Sequence, residues 1–500
     1  MITFIAALLC LITGYFIYGN TVERIFSIDP SRKTPCYTLE DGVDYTPMAT
    51  WRVFLIQFLN IAGTGPIFGA IQGILFGPAA YFWIVLGCVF AGATHDFLSG
   101  MMSLRRDGES LPEIVGDELG KNFRIVMRIL AMVLMVLVGA VFATTPAGLL
   151  SSMTSSWGMF GSTLFWVIII FAYYFLATLL PIDKLIGKIY PLFGCALLIM
   201  ALGVLFGILT ASGSMPEITD AFSNHHPDSN IPIFPGLCIT IACGAISGFH
   251  ATQSPMMARC MKNEKYGRPI FYGAMITEGI VALIWAAAAI KFADSMPVEG
   301  DTPYMKLMNL MTENGSHGVN PAIVVNAICH SWLGTVGAIL AILGVVAAPI
   351  TSGDTAFRSA RLIMADFMRF SQDKIINRII LCVPIFAIAI TLMFIDFSII
   401  WRYFAWVNQT LSVFTLWTIT VWLAKENKCF YVTLFPAIFM TMVCSTYILV
   451  AKEGFAMIPE TAYLLGGVFT FVCLGFFIRW HNRNNKDAKH KTPEGRSYQG

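Results

Sequence analysis

Two histidines and a few acids occur in stretches where ionisable side chains are otherwise scarce. His95 and Asp96 follow Gly92-Ala-Thr94 in an apolar run, and His250 lies among Ser247, Thr252, Gln253 and Ser254. Glu278 sits in Met275-Ile-Thr277-Glu278-Gly279. Imidazole changes charge near neutral pH and a carboxyl can be tuned to do so, which makes His95, Asp96 and Glu278 candidates to carry a proton. Neighbours on a helix point about 100° apart, so His95 and Asp96 need not bond each other. His250 and its hydroxyl and amide neighbours suit the lining of a substrate path, and they suit equally the capping of freed backbone groups. Thr351, Ser352, Asp354 and Thr355, in Pro349-Ile-Thr-Ser-Gly-Asp-Thr-Ala-Phe-Arg358, offer hard oxygen ligands for a cation such as Na⁺. They also fit a helix end with caps, with Asp354 and Arg358 spaced as an i,i+4 ion pair. His330, Asp396 and Arg402 read as structural.

The composition says what must position these groups. Of the 500 residues, 56% are hydrophobic and 12% charged, against roughly 25% charged in an ordinary soluble domain. So few charges cannot clothe a water-soluble surface, so most of the chain faces lipid. A soluble enzyme, a disordered regulator and a nucleic-acid binder are excluded. The net charge of +2 carries no basic patch. The 12 cysteines are scattered without a CxxC pair and read as small packing residues, so no metal site and no disulfide framework is expected. The apolar start, Ile2 to Tyr18, lacks a basic n-region and a small-residue cleavage site and reads as a retained span.

Apolar stretches near 20 residues fall at 2–19, 51–77, 79–104, 125–149, 162–180, 190–211, 235–258, 270–292, 326–352, 379–396, 399–424, 430–450 and 461–479, which predicts 13 transmembrane helices. Placing the N-terminus outside and alternating sides puts 28 of the 32 Lys and Arg residues inside, as the positive-inside rule requires. The polar segment 480–500 then forms a cytoplasmic tail. Arg105-Arg106-Asp107-Gly108-Glu109-Ser110-Leu111-Pro112 reads as a solvated cytoplasmic turn.

Two spans are wrongly composed for plain membrane helices. One contains Asn60-Ile-Ala-Gly63-Thr64-Gly65-Pro66, the other Cys243-Gly244-Ala-Ile-Ser247-Gly248-Phe-His250-Ala-Thr252-Gln253-Ser254-Pro255. Glycine loosens a helix and proline removes a donor. A break within hydrocarbon survives only where protein buries it or where it lines a wet cavity. Breaks are therefore predicted at 60–69 and 244–255. They lie five spans apart and so run in opposite directions, the pattern of a five-plus-five inverted repeat with its binding site at the interrupted helices. Repeat one covers 51–211 and repeat two 235–424. Around them lie 1–50 (first helix and cytoplasmic loop), 212–234 (external loop) and 430–479 (two added helices). Asn60, Gly63, Thr64, Gly65, Ser247, His250, Thr252 and Gln253 are the candidate substrate- or ion-binding residues. Half-helix N-termini would offer free N–H donors to an anion. In the aromatic run opening the eleventh span, Asn408 and Gln409 lie deeper and face the core.

No GxSxG, HExxH, P-loop or dinucleotide motif occurs, so a carrier is the leading reading, with an ion or solute channel and an intramembrane enzyme as alternatives. The stretches Arg24-Ile-Phe-Ser-Ile-Asp29-Pro30-Ser-Arg32-Lys-Thr34-Pro35, Asn60-Ile-Ala-Gly-Thr-Gly-Pro-Ile, Ala93-Thr-His-Asp-Phe97, Ser247-Gly-Phe-His-Ala-Thr-Gln-Ser-Pro255 and Pro349-Ile-Thr-Ser-Gly-Asp-Thr-Ala-Phe357 resemble the carbon starvation protein family (CstA). The resemblance spreads over most of residues 1–370, and longer members carry extra C-terminal helices. It implies an all-α, LeuT- or APC-like uptake carrier of the bacterial inner membrane. Family members are linked to peptide uptake in carbon limitation and, in some cases, to proton-driven pyruvate uptake. A proton or sodium gradient would drive it without a cofactor. The partners expected are the lipid bilayer and a small substrate, with no nucleic acid.

Overall fold

The structure is a computed structural model that describes residues 1–491 except 43, 180, 181, 221, 222, 313–318, 373 and 396. Asp396 and the end of the tail beyond 491 therefore lie outside the described residues. The described chain is helical, without a strand among those residues. Eight helices in it are long and apolar enough to cross a membrane, and a bent pair, Thr50–Ile61 with Gly65–Phe76, would make a ninth. The remaining expected spans fall on Thr163–Leu179, on the pair Ile233–Thr240 and Gly248–Ala258, on Pro321–Ala341 continuing into Ala347–Met368, and on Phe397–Lys425.

The outer faces are apolar. Phe16, Phe206, Phe471 and Phe476 are all exposed, while His95, Asp96, His250 and Glu278 are completely buried. Such an arrangement fails in water and succeeds against lipid tails, where exposed charge is the costly item and exposed Phe is not. The chain is a multi-pass helical membrane protein.

Both predicted interruptions exist, at shifted positions. In the first span the helix ends at Ile61 and restarts at Gly65, with a 47° bend between the halves. Pro66 cannot continue a preceding helix but fits the first turn of a new one, where its missing N–H has no partner to lose. In the span 235–258 the helix ends at Thr240 and restarts at Gly248. The expected break at 244–255 is thus corrected to 241–247. The turn is made at Gly244, whose φ of +92° suits glycine. Pro255 sits well inside the following half-helix and costs it a single hydrogen bond. His250 consequently stands on the first turn of a helix rather than in unwound chain.

The two interruptions meet. A Cβ on Gly65 would lie 2.5 Å from the Cys243 side chain, one on Gly69 2.8 Å from the Thr240 carbonyl oxygen, and one on Gly244 3.8 Å from Pro66. Gly73 abuts Ile241 in the same row. Glycines at i, i+4 and i+8 thus let the two backbones approach, as small residues do between membrane helices. The indole Nε1 of Trp83 donates to the Ile241 carbonyl at 3.0 Å, satisfying one group freed by the second break.

Two further expectations change. Residues 351–355 do not end a helix; they lie inside Ala347–Met368, which packs along Lys121–Met153. Arg105–Pro112 is no solvated turn. Residues 111–119 form a helix that buries Leu111, Ile114 and Val115. Arg105 grips the buried Glu264 with Nε at 3.0 Å and Nη2 at 2.9 Å. Arg106 reaches Asp117 and Glu118, and Lys425 bonds Glu118 at 2.8 Å. Charge runs look alike whether they meet water or each other, so the pattern alone did not distinguish them.

Candidate functional site

The buried centre contains a chain of ionisable groups drawn from three elements. His95 and Asp96 come from Ala93–Arg105, His250 from the second half-helix Gly248–Ala258, and Glu278 from Gly273–Ser295. His95 Nδ1 lies 2.7 Å from Asp96 Oδ1, and His250 Nδ1 lies 2.8 Å from Asp96 Oδ2. The far nitrogen of His250, Nε2, faces Glu278 Oε2 at 3.4 Å. Asp96 thus holds a histidine on each oxygen. Sequence spacing left a His95–Asp96 bond open, and χ rotation closes it. A π-helical stretch, Gly87–Gly92, immediately precedes the pair, and such bulges recur where a helix must re-aim side chains at a functional site. Gly87 and Gly92 of this stretch abut Ala245 in the second break.

At the second break the freed backbone is held by neighbouring side chains. Asn408, on Phe397–Lys425, accepts with Oδ1 from the Phe249 N–H at 2.7 Å and from the Ser247 hydroxyl at 3.0 Å. It therefore caps the half-helix, and the free N–H donors expected there are partly taken. A Cβ on Gly248 would collide with Asn408 and Leu411, so the cap fits only because that residue is glycine. Thr252 donates to the Phe249 carbonyl at 2.6 Å and Ser254 to the His250 carbonyl at 3.0 Å. Gln253 donates to the Thr252 hydroxyl at 3.1 Å, leaving its Oε1 without a partner.

The first break contrasts with it. Gln57 and Asn60 are completely buried, and neither end of either amide has a hydrogen-bond partner. The Thr64 hydroxyl is likewise buried and unpartnered. Gly63 packs against Phe142 and approaches Ser352 Oγ, where a Cβ would lie 3.4 Å away. Ser352 donates to the Leu59 carbonyl at 3.1 Å, tying helix 347–368 to the end of the first half-helix. Thr351 and Thr355 donate to backbone carbonyls of their own helix. Asp354 does not take Arg358 as its hydrogen-bond partner: its Oδ2 accepts from Tyr190 at 2.8 Å, while Arg358 donates to the Ala177 carbonyl at 2.7 Å. The second oxygen of Asp354 has no partner. Buried polar groups are nearly always paired, so these unpaired amides and hydroxyl stand out as groups free to donate to or accept from a further group.

A cavity of about 760 Å³ lies against the far end of the half-helix Gly65–Gly73 and against Ile233–Thr240, lined among others by Gln72, Phe76, Thr240, Trp401, Arg402 and Tyr447. Arg402 pairs with Glu453 at its wall. His226 also lines it, and burial there holds this imidazole below its usual range.

Of the sequence candidates, Asp96, His95, His250 and Glu278 come together, and Asn60, Gly63, Thr64 and Ser352 meet at the first break. Asn408 was placed deep but its cap was not foreseen. Cys243, Gln57 and Tyr190 were missed. Gln57 alone carried a signal, standing one helical turn before Asn60 on the same face.

The chain matches the family model described as carbon starvation protein CstA over residues 1–165 and 151–306. It is 45% identical to an uncharacterized membrane protein of Haemophilus influenzae over 59% of this chain and 92% of that one. It is 28% identical to the peptide transporter CstA of Escherichia coli over 57% of this chain and 49% of that protein. To the pyruvate/proton symporter BtsT of the same organism it is 29% identical over 54% and 45%. The chain spans about half the length of these two named transporters. A crystal structure of the manganese transporter of Eremococcus coleocola superposes with a TM-score of 0.56 at 12% identity, over 90% of this chain and 99% of that one, a likeness of fold alone.

Proposed function

The chain belongs to the carbon starvation protein CstA family, and we propose that it is a secondary active transporter importing a small carboxylate, pyruvate-like, or a peptide across the bacterial inner membrane. The observation that carries this is the crossing of two broken helices around buried amides that have no partner, Gln57 and Asn60 beside Thr64. Interrupted helices in both halves are where inverted-repeat carriers bind their substrate.

In this reading there are 13 spans, with the N-terminus periplasmic and the C-terminus cytoplasmic. The five-plus-five repeat occupies 51–211 and 235–424, flanked by the helices of 1–50 and 430–479. The substrate carboxylate sits at the first break, where the amides of Gln57 and Asn60, the Thr64 hydroxyl and the N-terminus of the half-helix from Gly65 can all donate. Asn408 already occupies the corresponding place at the second break, which is why one carboxylate suits the site better than two. Gly63, Gly65, Ser247, Thr252 and Gln253 shape the walls. The cavity of about 760 Å³ is the access route. A proton or Na⁺ drives the cycle without a cofactor. His95, Asp96, Glu278 and His250 form the proton-bearing chain, and Thr351, Ser352, Asp354 and Thr355 stand against the first break for a cation.

Uptake by the purified chain in proteoliposomes tests the proposal. Labelled pyruvate or a short peptide should accumulate saturably and show counterflow, and collapse of both proton and sodium gradients should stop accumulation. Single-channel currents without counterflow would replace the carrier with a channel.

A further inference from the structure

We propose that Cys243, His250 and Glu278 form a binding site for one transition-metal dication of the zinc type. It is a site distinct from the substrate place at the first break, and it shares His250 and Glu278 with the proton-bearing chain proposed above.

The three donor atoms, Cys243 Sγ, His250 Nε2 and a Glu278 carboxylate oxygen, lie within 4.8 Å of one another, and all three residues are buried. In a tetrahedral zinc shell, bonds of about 2.0–2.3 Å place neighbouring donors roughly 3.3–3.8 Å apart. The His250 Nε2 to Glu278 Oε2 separation of 3.4 Å already matches an edge of that tetrahedron. Two of the three donors have no hydrogen bond to satisfy them: His250 Nε2 and both Glu278 oxygens are buried without a hydrogen-bond partner. A thiolate, an imidazole and a carboxylate together favour a borderline ion such as Zn²⁺ or Co²⁺ over Mg²⁺ or Ca²⁺, which take oxygen alone.

The surroundings supply what a metal-binding histidine needs. Asp96 Oδ2 holds His250 Nδ1 at 2.8 Å, so the ring presents Nε2 to the site with its tautomer and orientation set. His95 fixes Asp96 in turn from its other oxygen at 2.7 Å. This is the carboxylate–histidine arrangement that recurs behind metal-bound imidazole. The Asn408 amide and Ser247 hydroxyl stand near Cys243 Sγ at 3.7 and 3.8 Å and position the thiol. Binding would release the Cys243 proton to solvent, leave a fourth position for water, and link the second broken helix to Gly273–Ser295.

The test uses the full chain purified in detergent and titrated with Co²⁺. One equivalent should bind with tetrahedral d–d absorption and a thiolate-to-cobalt charge-transfer band, both removed by Zn²⁺. Cys243→Ser should abolish the charge-transfer band while Cys238→Ser keeps it, with both variants monodisperse on gel filtration. Asp96→Asn should weaken binding about 10- to 100-fold, the usual effect of losing a partner behind a metal-bound histidine. X-ray absorption at the zinc edge of the unmutated chain should read one sulfur with nitrogen and oxygen. A shell without sulfur, no charge-transfer band, or a band that survives Cys243→Ser would overturn the proposal. That last outcome would assign the metal to an exposed thiol such as Cys10, Cys195 or Cys429. Metal binding is read here without uptake, and uptake is read separately on metal-free protein, because His250 and Glu278 also belong to the proposed proton-bearing chain.

Discussion

The two helix breaks do opposite things with the same problem. Each frees backbone groups inside the membrane. The second answers with side chains already in place: Asn408 caps Phe249, Trp83 takes the Ile241 carbonyl, and His250 is held by Asp96. The first is left with Gln57, Asn60 and Thr64 unpaired. The second break thus has its backbone held by side chains, although Gln253 Oε1, His250 Nε2 and both Glu278 oxygens there have no hydrogen-bond partner. A break that keeps polar groups buried and idle bears a standing free-energy cost, which a ligand removes on binding. In the proposed carrier this difference would put the substrate at the first break, with Asn408 and Trp83 holding the backbone of the second.

Substitutions can break or sharpen that contrast. The largest effect belongs to Asp96→Asn, which leaves two buried histidines without their shared carboxylate. Loss of one partner from such a buried network costs about 3–5 kcal/mol. A markedly lower unfolding temperature and uptake reduced to background are expected, and normal uptake would remove Asp96 from the mechanism. Gly65→Ala comes next. Its methyl would meet Cys243 at 2.5 Å, and overpacking of this kind costs about 1–3 kcal/mol. Adding Cys243→Gly, which removes both the Cβ and the Sγ that the new methyl meets, should recover much of the loss, and additive effects in the double variant would deny that the breaks touch.

Asn408→Ala should destabilise by about 1–2 kcal/mol through loss of a helix cap and its hydroxyl bond, with substrate affinity changed less than stability. Asn60→Ala and Gln57→Ala should behave in reverse. Each should weaken substrate binding about tenfold, the worth of one hydrogen bond, while unfolding temperature holds or rises because no bond of the empty protein is lost. Equal stability losses in Asn60→Ala and Asn408→Ala would erase the distinction between the breaks. The smallest effect is expected for Lys425→Ala, which removes a half-exposed ion pair with Glu118 worth about 0–1 kcal/mol.

Much of this was legible from residue order. Pro66 and the glycines around it announced the first interruption, because proline and glycine act on the backbone wherever they stand. The second was announced too, but misplaced. Pro255 looked like part of the break, whereas the chain turned earlier at Gly244 and the helix tolerated the proline. His95, Asp96, His250 and Glu278 stood out because ionisable groups are rare in apolar stretches. Cys243 did not, since a cysteine in a membrane helix is ordinarily a small packing residue. Its company with His250 and Glu278 depends on a crossing of chain segments that linear spacing does not contain. Tyr190 was hidden for the same reason: aromatic residues are common in spans, and only packing reveals which hydroxyl reaches Asp354.

What the residue order determined by itself is the class of the protein: a helical chain that must live in lipid, because its few charges cannot cover a surface, with backbone flaws where glycine and proline interrupt apolar runs. Those are local properties, settled by side-chain chemistry and dihedral preference. Tertiary structure decided which polar groups met a partner and which were left waiting. That outcome depends on distances of an ångström or two between elements tens to hundreds of residues apart, and hydrogen bonding falls away too steeply with distance for sequence pattern to predict it.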